Sequence, residues 1–150
     1  MPGAVTRGEN SMIVIMVAEV MTRGVLTVGP ETPCGSVRRL MDEHGIRHVP
    51  VVAGERLVGM VSDRDVRSAG AGSGAITARI MTPYPVTVTP ETRVEHAAQL
   101  MLDGRFGSLP VADGHTLVGI VTYTDLLRAF VRVIETATQE RIAVEFSADR

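Results

Sequence analysis

Gly59-Met60-Val61-Ser62-Asp63-Arg64-Asp65 and Gly119-Ile120-Val121-Thr122-Tyr123-Thr124-Asp125 are the two stretches whose reading decides the fold. Each reads as the end of a buried strand turning directly into a helix. Leu57, Val58, Met60 and Val61 form an apolar run too short for a helix of its own. Ser62 with Asp65, and Thr122 with Asp125, have the spacing of a helix N-cap and the third residue after it. At such a corner the first amide N–H groups lack intrahelical partners and carry the positive end of the helix dipole, which suits a phosphate. The hydroxyl of Ser62 or Thr122 can add a hydrogen bond to that phosphate, and the Asp can accept from sugar hydroxyls. The same spacing also caps a helix with no ligand present. On one copy alone, that simpler role is the stronger reading.

The pattern gains weight because it recurs at the same place in a repeat. Displaced by 60 positions, the sequence matches itself without a gap: Met21-Thr22 on Met81-Thr82, Pro30-Glu31-Thr32 on Pro90-Glu91-Thr92, and Pro50-Val51 on Pro110-Val111. Leu57-Val58-Gly59 likewise falls on Leu117-Val118-Gly119. Two ungapped copies mean one supersecondary unit used twice. A unit this short would struggle to bury a core alone. The copies are therefore expected to pack about a pseudo-twofold axis, with both strand–helix corners near a shared cleft.

These features together resemble a tandem pair of CBS domains, also called a Bateman module, from about Val17 to Phe130. The matching marks are the Met-Thr opening of each copy, the strands ending in Val-Pro-Val (49–51) and Leu-Pro-Val (109–111), and Gly-x-Val-[Ser/Thr]-x-x-Asp. The resemblance implies an α+β fold of two pseudo-twofold-related β-α-β-β-α repeats. It divides the chain into an N-terminal extension (1–16), a first domain (17–69), a Gly-rich linker (70–76), a second domain (77–134) and a C-terminal extension (135–150). It also implies adenosine-type ligands held between the copies: AMP, ADP or ATP, or S-adenosylmethionine, with no cofactor required.

Carried over by position, the resemblance gives Ser62 and Asp65 the phosphate and ribose roles in one site, and Thr122 and Asp125 in the other. Gly24-Val25 and Pro85-Val86 would supply backbone contacts and an apolar slot for adenine. Arg47-His48, ahead of Pro50, sits where phosphate-facing groups are expected. Its twin Gly107-Ser108, ahead of Pro110, carries no charge. Arg64 is charged where Thr124 is neutral. The sites should then be inequivalent, the one holding Arg64 better suited to polyphosphate. Arg47 and Arg64 could equally be solvated surface charges.

Composition narrows the remaining classes. Hydrophobic residues make up 45% of the 150, enough for a core, with 3% aromatic and no Trp, so that core is aliphatic. The net charge of −2 and sparse aromatics disfavour nucleic acid. All 15 basic residues are Arg, which suits bidentate contacts to phosphate. Cys34 has no partner for a disulfide. Met12–Ala18 is too short to span a bilayer, and no leader peptide is evident, so the cytoplasm is expected and a membrane role is not. Gly45 separates His44 from His48 on any helix, which argues against a metal site. No nucleophile–base motif is evident, so an enzyme is not expected. Gly70–Gly74 lacks the Gly-Lys-[Ser/Thr] ending of a phosphate loop and reads as a hinge.

Residues 1–11 read as loose, Met12–Val17 as a strand, Val17–Met21 as a helical turn and Val25–Val28 as a short strand. Thr32 is expected to cap a helix ended by Gly45, and Thr92 to form a capping box with Glu95. Strands follow at Ile46–Val52, Leu57–Val61, Leu109–Ala112 and Leu117–Val121, and a helix at Asp63–Ala69. The helix starting near Tyr123 is apolar on two sides and wants two partners, its own core and a second subunit. Ile142, Val144 and Phe146 alternate as a strand would. A regulatory module of this kind would act on an unidentified target protein in trans, as a homodimer. A ligand-independent dimerisation scaffold is the alternative.

Overall fold

Two β-hairpins set the architecture. The computed structural model describes residues 13–70 and 72–148. β1 (His48–Ala53) and β2 (Arg56–Ser62) pair antiparallel, as do β4 (Ser108–Asp113) and β5 (Thr116–Thr122). Their registers are twins: His48 opposes Ser62 as Ser108 opposes Thr122, with a bulge at Val51/Val52 and at Val111/Ala112. The hairpins meet at their turn ends, where Arg56 opposes Thr116 and the Leu57 amide donates to the His115 carbonyl at 3.0 Å. The resulting strand order is β1-β2-β5-β4, with the two-residue β3 (Thr82–Pro83) on β2. Among the described residues six helices accompany the sheet: α1 (Val17–Val20), α2 (Cys34–His44), α3 (Asp63–Ala69), α4 (Thr77–Ile80), α5 (Val94–Gly104) and α6 (Tyr123–Ala148). This is the mixed α+β repeat pair that the sequence implies.

The two cores are built crosswise. Cys34, Val37, Met41, Val49, Val51, Val61 and Val66 of the first repeat are closed over by Ile80 and Met81, which open the second. Ala97, Met101, Leu109, Val111 and Val121 of the second repeat surround Val17, from the start of the first. Backbone bonds follow the exchange: the Val17 amide donates to the Thr92 carbonyl at 2.7 Å, and the Thr77 amide to the Thr32 carbonyl at 2.8 Å. Each hairpin therefore needs the entry segment of the other copy to close its apolar face.

Several local expectations give way to this exchange. Ile13–Ile15 form no strand, and Met16 makes one bridge to Arg93. The Ile15 carbonyl instead accepts from the Val94 amide, closing the start of α5. Met12 and residues 1–11 lie outside the described residues. The Val25–Val28 strand shrinks to one parallel bridge from Val28 to Val51. Thr32 does not cap α2. Its hydroxyl accepts from the Gly29 amide and closes the preceding turn, so the helix begins after Pro33. Thr92 does the same for the Thr89 amide, Arg93 is the N-cap of α5, and Glu95 pairs with Arg93. Gly45 ends α2 in the left-handed conformation, as expected. Ile142, Val144 and Phe146 lie in α6, not in a strand. From Ile120 onward the sequence holds no Gly or Pro, and the Ala, Glu and Arg residues of the tail favour helix.

Candidate functional site: a cavity at one strand–helix corner

The β2–α3 corner is a reciprocal capping box. The Asp65 amide donates to Ser62 Oγ at 3.1 Å, and the Ser62 amide donates to Asp65 Oδ2 at 2.8 Å. At the β5–α6 corner the Asp125 amide donates to Thr122 Oγ1 at 3.3 Å, and the Thr122 amide to Asp125 Oδ2 at 2.9 Å. The purely structural role of the spacing is thus present at both corners. The twins differ in one proton. Thr122 Oγ1 also donates to Asp125 Oδ2 at 3.1 Å, whereas the Ser62 hydroxyl donates to no group among the described residues. Ser62 retains a donor for a guest, and Thr122 has spent its own.

A cavity of about 670 Å³ opens onto the first corner, within the range of small-molecule sites. Of the positions singled out in the sequence, Arg47, His48, Ser62, Arg64, Asp65, Pro85, Val86, Ser108 and Pro110 line it. Gly24 and Val25 line a separate, shallower hollow of about 290 Å³ near the hairpin turns. Thr122, Thr124 and Asp125 line neither, and Pro50 is fully buried. Asp125 is only 6% exposed, with its carboxylate turned onto its own cap. The small Gly107 and Ser108 and their bulkier twins Arg47 and His48 all line the cavity at the first corner.

The lining is strongly basic. Arg47, Arg64, Arg67 and Arg105 face Asp63 and Asp65. Asp63 is engaged by Arg67 at 2.8 Å and by Arg38 at 3.4 Å. Arg47, Arg64 and Arg105 enter no ion pair among the described residues. His48 is held below its ordinary pKa, first by burial and further by the Arg47 charge, against the opposing pull of Asp65 and Asp63. Ser108 Oγ is buried and has no hydrogen-bond partner among the described residues, an arrangement that costs about 1–3 kcal/mol unless a guest satisfies it.

Sequence reasoning missed Tyr84, Arg105 and Phe106, which also line the cavity. Two of them carry a signal. Tyr84 (φ 48°) and Arg105 (φ 56°) are the non-glycine residues with positive φ among those described. Their twins sixty positions earlier are Gly24 (φ 65°) and Gly45 (φ 62°), the residues such a backbone favours. The repeat alignment contained both mismatches, Gly against Tyr and Gly against Arg. Read as strained backbone retained for a purpose, they would have pointed to this wall.

No helix among the described residues is long and apolar enough to cross a membrane, and no cluster of potential metal ligands is present among them. The chain is 40% identical over 127 residues to inosine-5'-monophosphate dehydrogenase of Korarchaeum cryptofilum, covering 84% of this chain. It spans only a quarter (25%) of that enzyme's length. Among solved structures it resembles CBSX2 in complex with AMP, at 30% identity and TM-score 0.72, covering 79% of this chain and 97% of the other. It also resembles the CBS domain pair of protein MJ0100 in complex with 5'-methylthioadenosine and S-adenosyl-L-methionine, at 27% identity and TM-score 0.73, with 79% and 97% covered. The CBS domain model matches twice, at residues 17–72 and 77–132. With the same repeat visible in its sequence, its hairpins and its crossed cores, the chain belongs to the CBS domain family as a tandem pair.

Proposed function

We propose that this chain is a non-catalytic regulatory module that binds an adenosine phosphate in the cavity beside Ser62, and that occupancy alters the packing of the two repeats or their partner contacts. The observation that carries the reading is the coincidence of strain and charge on one wall. Tyr84 and Arg105 are held in a backbone region that costs an L residue roughly 1–2 kcal/mol, and both line a cavity with three arginines outside any described ion pair. Arg47, Arg64 and Arg105 suit a run of phosphates. The free Ser62 hydroxyl and the unpartnered Ser108 hydroxyl add donors. Asp65 has one carboxylate oxygen outside its cap bond for a ribose hydroxyl. Tyr84, Pro85, Val86 and Phe106 offer an apolar and aromatic slot for a base. AMP in the complex of CBSX2 supports the adenosine assignment. S-adenosylmethionine, bound in the MJ0100 structure, carries a sulfonium cation that three unpaired arginines disfavour, so the phosphate series ranks ahead of it.

A thermal melt with ATP, ADP, AMP, S-adenosylmethionine and cyclic dinucleotides tests the proposal. A ligand that binds only the folded chain raises its stability by about 2.7 kcal/mol at a hundredfold excess over Kd. Absence of a shift with every compound at millimolar concentration would remove the sensor reading. It would leave the alternative, a ligand-independent interaction scaffold, which the buried Asp125 and the exposed face of α6 favour. Under that reading Asp65→Ala combined with Asp125→Ala alters stability but no assembly.

A further inference from the structure

His48 lines the cavity at the seam between the two repeats. It opens β1 directly across from Ser62 in the antiparallel register. Its ring also reaches the other repeat: a Cβ built on Gly107 would lie 3.1 Å from His48 Cε1 and 3.6 Å from Nε2. Neither ring nitrogen enters a hydrogen bond or an ion pair among the described residues. A half-buried imidazole that faces a cavity and bonds to nothing is open to a guest. Neutral, it offers one donor; protonated, it offers two and a charge.

The surroundings decide which form the empty cavity holds. Arg47 lies beside the ring on its own strand. From α3 the cavity receives Asp63, Arg64, Asp65 and Arg67, and Arg105 comes from the end of α5. The Tyr84 phenol comes from the entry of the second repeat. Four guanidinium groups thus meet two carboxylates, and Asp63 is already engaged by Arg67 and Arg38. A proton on His48 would add a fifth cation in partial burial, so the empty site keeps the ring neutral. A nucleotide reverses the balance. A terminal phosphate brings roughly 1.5 to 2 negative charges and oxygens that accept from an imidazolium. Phosphate and proton then favour each other's binding, and the coupling is reciprocal. The second corner has no such group, because the twin of His48, across from Thr122, is Ser108.

We infer that the cavity takes its nucleotide together with a proton on His48, so that affinity for the phosphate chain rises as pH falls through neutrality. This rests on the nucleotide reading and adds the regulation of that site: the module weighs adenosine phosphate against acidity. The ligand's own titration acts in the opposite direction. Protonation of a terminal phosphate, with a pKa of about 6, removes charge that the arginines hold. A gain in affinity on acidification therefore has to come from the protein.

Proton NMR of the full chain, with and without saturating ATP, tests this. The chain has four histidines, and His48→Gln identifies the His48 ring signal by its loss. His44, His96 and His115 do not line the cavity, so one signal alone should respond to the ligand. Without ATP it is expected to titrate below about 6.5. With ATP it should titrate at least about one pH unit higher. In titration calorimetry the wild-type Kd for ATP should fall about fivefold or more from about pH 8 to about pH 6. His48→Gln should lose that fall, whereas a ring with a merely structural role would weaken binding by the same factor at every pH. ATP that binds with the His48 titration unmoved, or with the same pH dependence in His48→Gln, would overturn the coupling and leave the nucleotide reading standing. ATP that binds at no pH would remove both. Should His48→Gln fail to fold, the wild-type titration still decides, because a single histidine signal must move with the ligand.

Discussion

Arg105 occupies a position where glycine would cost the backbone nothing, at the C-terminal end of α5. Arg105→Gly is therefore expected to raise the melting temperature of the unliganded chain, a gain of about 1 kcal/mol. The same change is expected to weaken ATP binding roughly tenfold or more, since one charge-assisted hydrogen bond contributes about 1.5–3 kcal/mol. Opposite signs from one substitution, in melt and titration calorimetry, separate a ligand contact from a structural residue. His48 gives a prediction in pH. Burial holds its folded-state pKa below the ordinary value near 6.5, with Arg47 adding to the effect and Asp65 and Asp63 opposing it. As pH falls through 6.5 the unfolded chain takes up this proton before the folded one does, so folding stability declines. Above 6.5 both states hold the neutral ring and the His48 contribution to the slope vanishes. Urea unfolding between pH 7.5 and pH 5 should show that decline, and His48→Gln should flatten it; an unchanged slope in the variant would exclude His48 as its source.

At the scale of elements, the crossing of each strand pair over the other repeat's entry segment leaves no room for a side chain. A Cβ on Gly119 would lie 2.9 Å from the Thr22 carbonyl oxygen, a backbone atom that itself accepts the Ile120 amide. On Gly59 the corresponding distance to the Thr82 carbonyl is 3.1 Å. Gly119→Ala should then cost about 1–3 kcal/mol in chemical denaturation, with Gly59→Ala the milder of the two. The elements themselves were largely legible, because hairpins and the strand–helix corner are local patterns and the repeat showed each of them twice. What escaped was set by long-range partners. Thr32 and Thr92 have side chains suited to capping either of two adjacent turns, and the neighbouring Gly29 and Thr89 amides decide which. Ile142, Val144 and Phe146 alternate, but three positions cannot separate a strand from one side of a helix whose other residues are strong helix formers. In the site, the motif residues Ser62 and Asp65 and the basic neighbours Arg47 and Arg64 were readable. Arg105 was missed, because its left-handed backbone angle is marked in the sequence only indirectly, by Gly45 at the twin position.

For the whole molecule, the crossed cores and the unequal corners have linked consequences. Residues 1–73 expressed alone lack Ile80 and Met81, which cover the apolar side of β1 and β2. That fragment should show no cooperative melt until the complementary half, which supplies those residues, is added. Because each repeat finishes the other, a ligand between them acts on one cooperative body, and its occupancy is reported by the stability of the entire chain. The pseudo-twofold would allow two such ligands, yet the caps break it: the Ser62 hydroxyl donates to no group among the described residues, whereas Thr122 donates to an Asp125 carboxylate that is only 6% exposed. The expected stoichiometry is one nucleotide per chain. Native mass spectrometry with ATP should show a single addition per protomer. Asp65→Ala should abolish that addition, while Asp125→Ala should lower stability by about 1 kcal/mol through the lost cap and leave the addition intact. Two additions per protomer, or loss of binding in the Asp125 variant, would mean that the second corner also takes part in binding and that the difference between the two caps does not select the site.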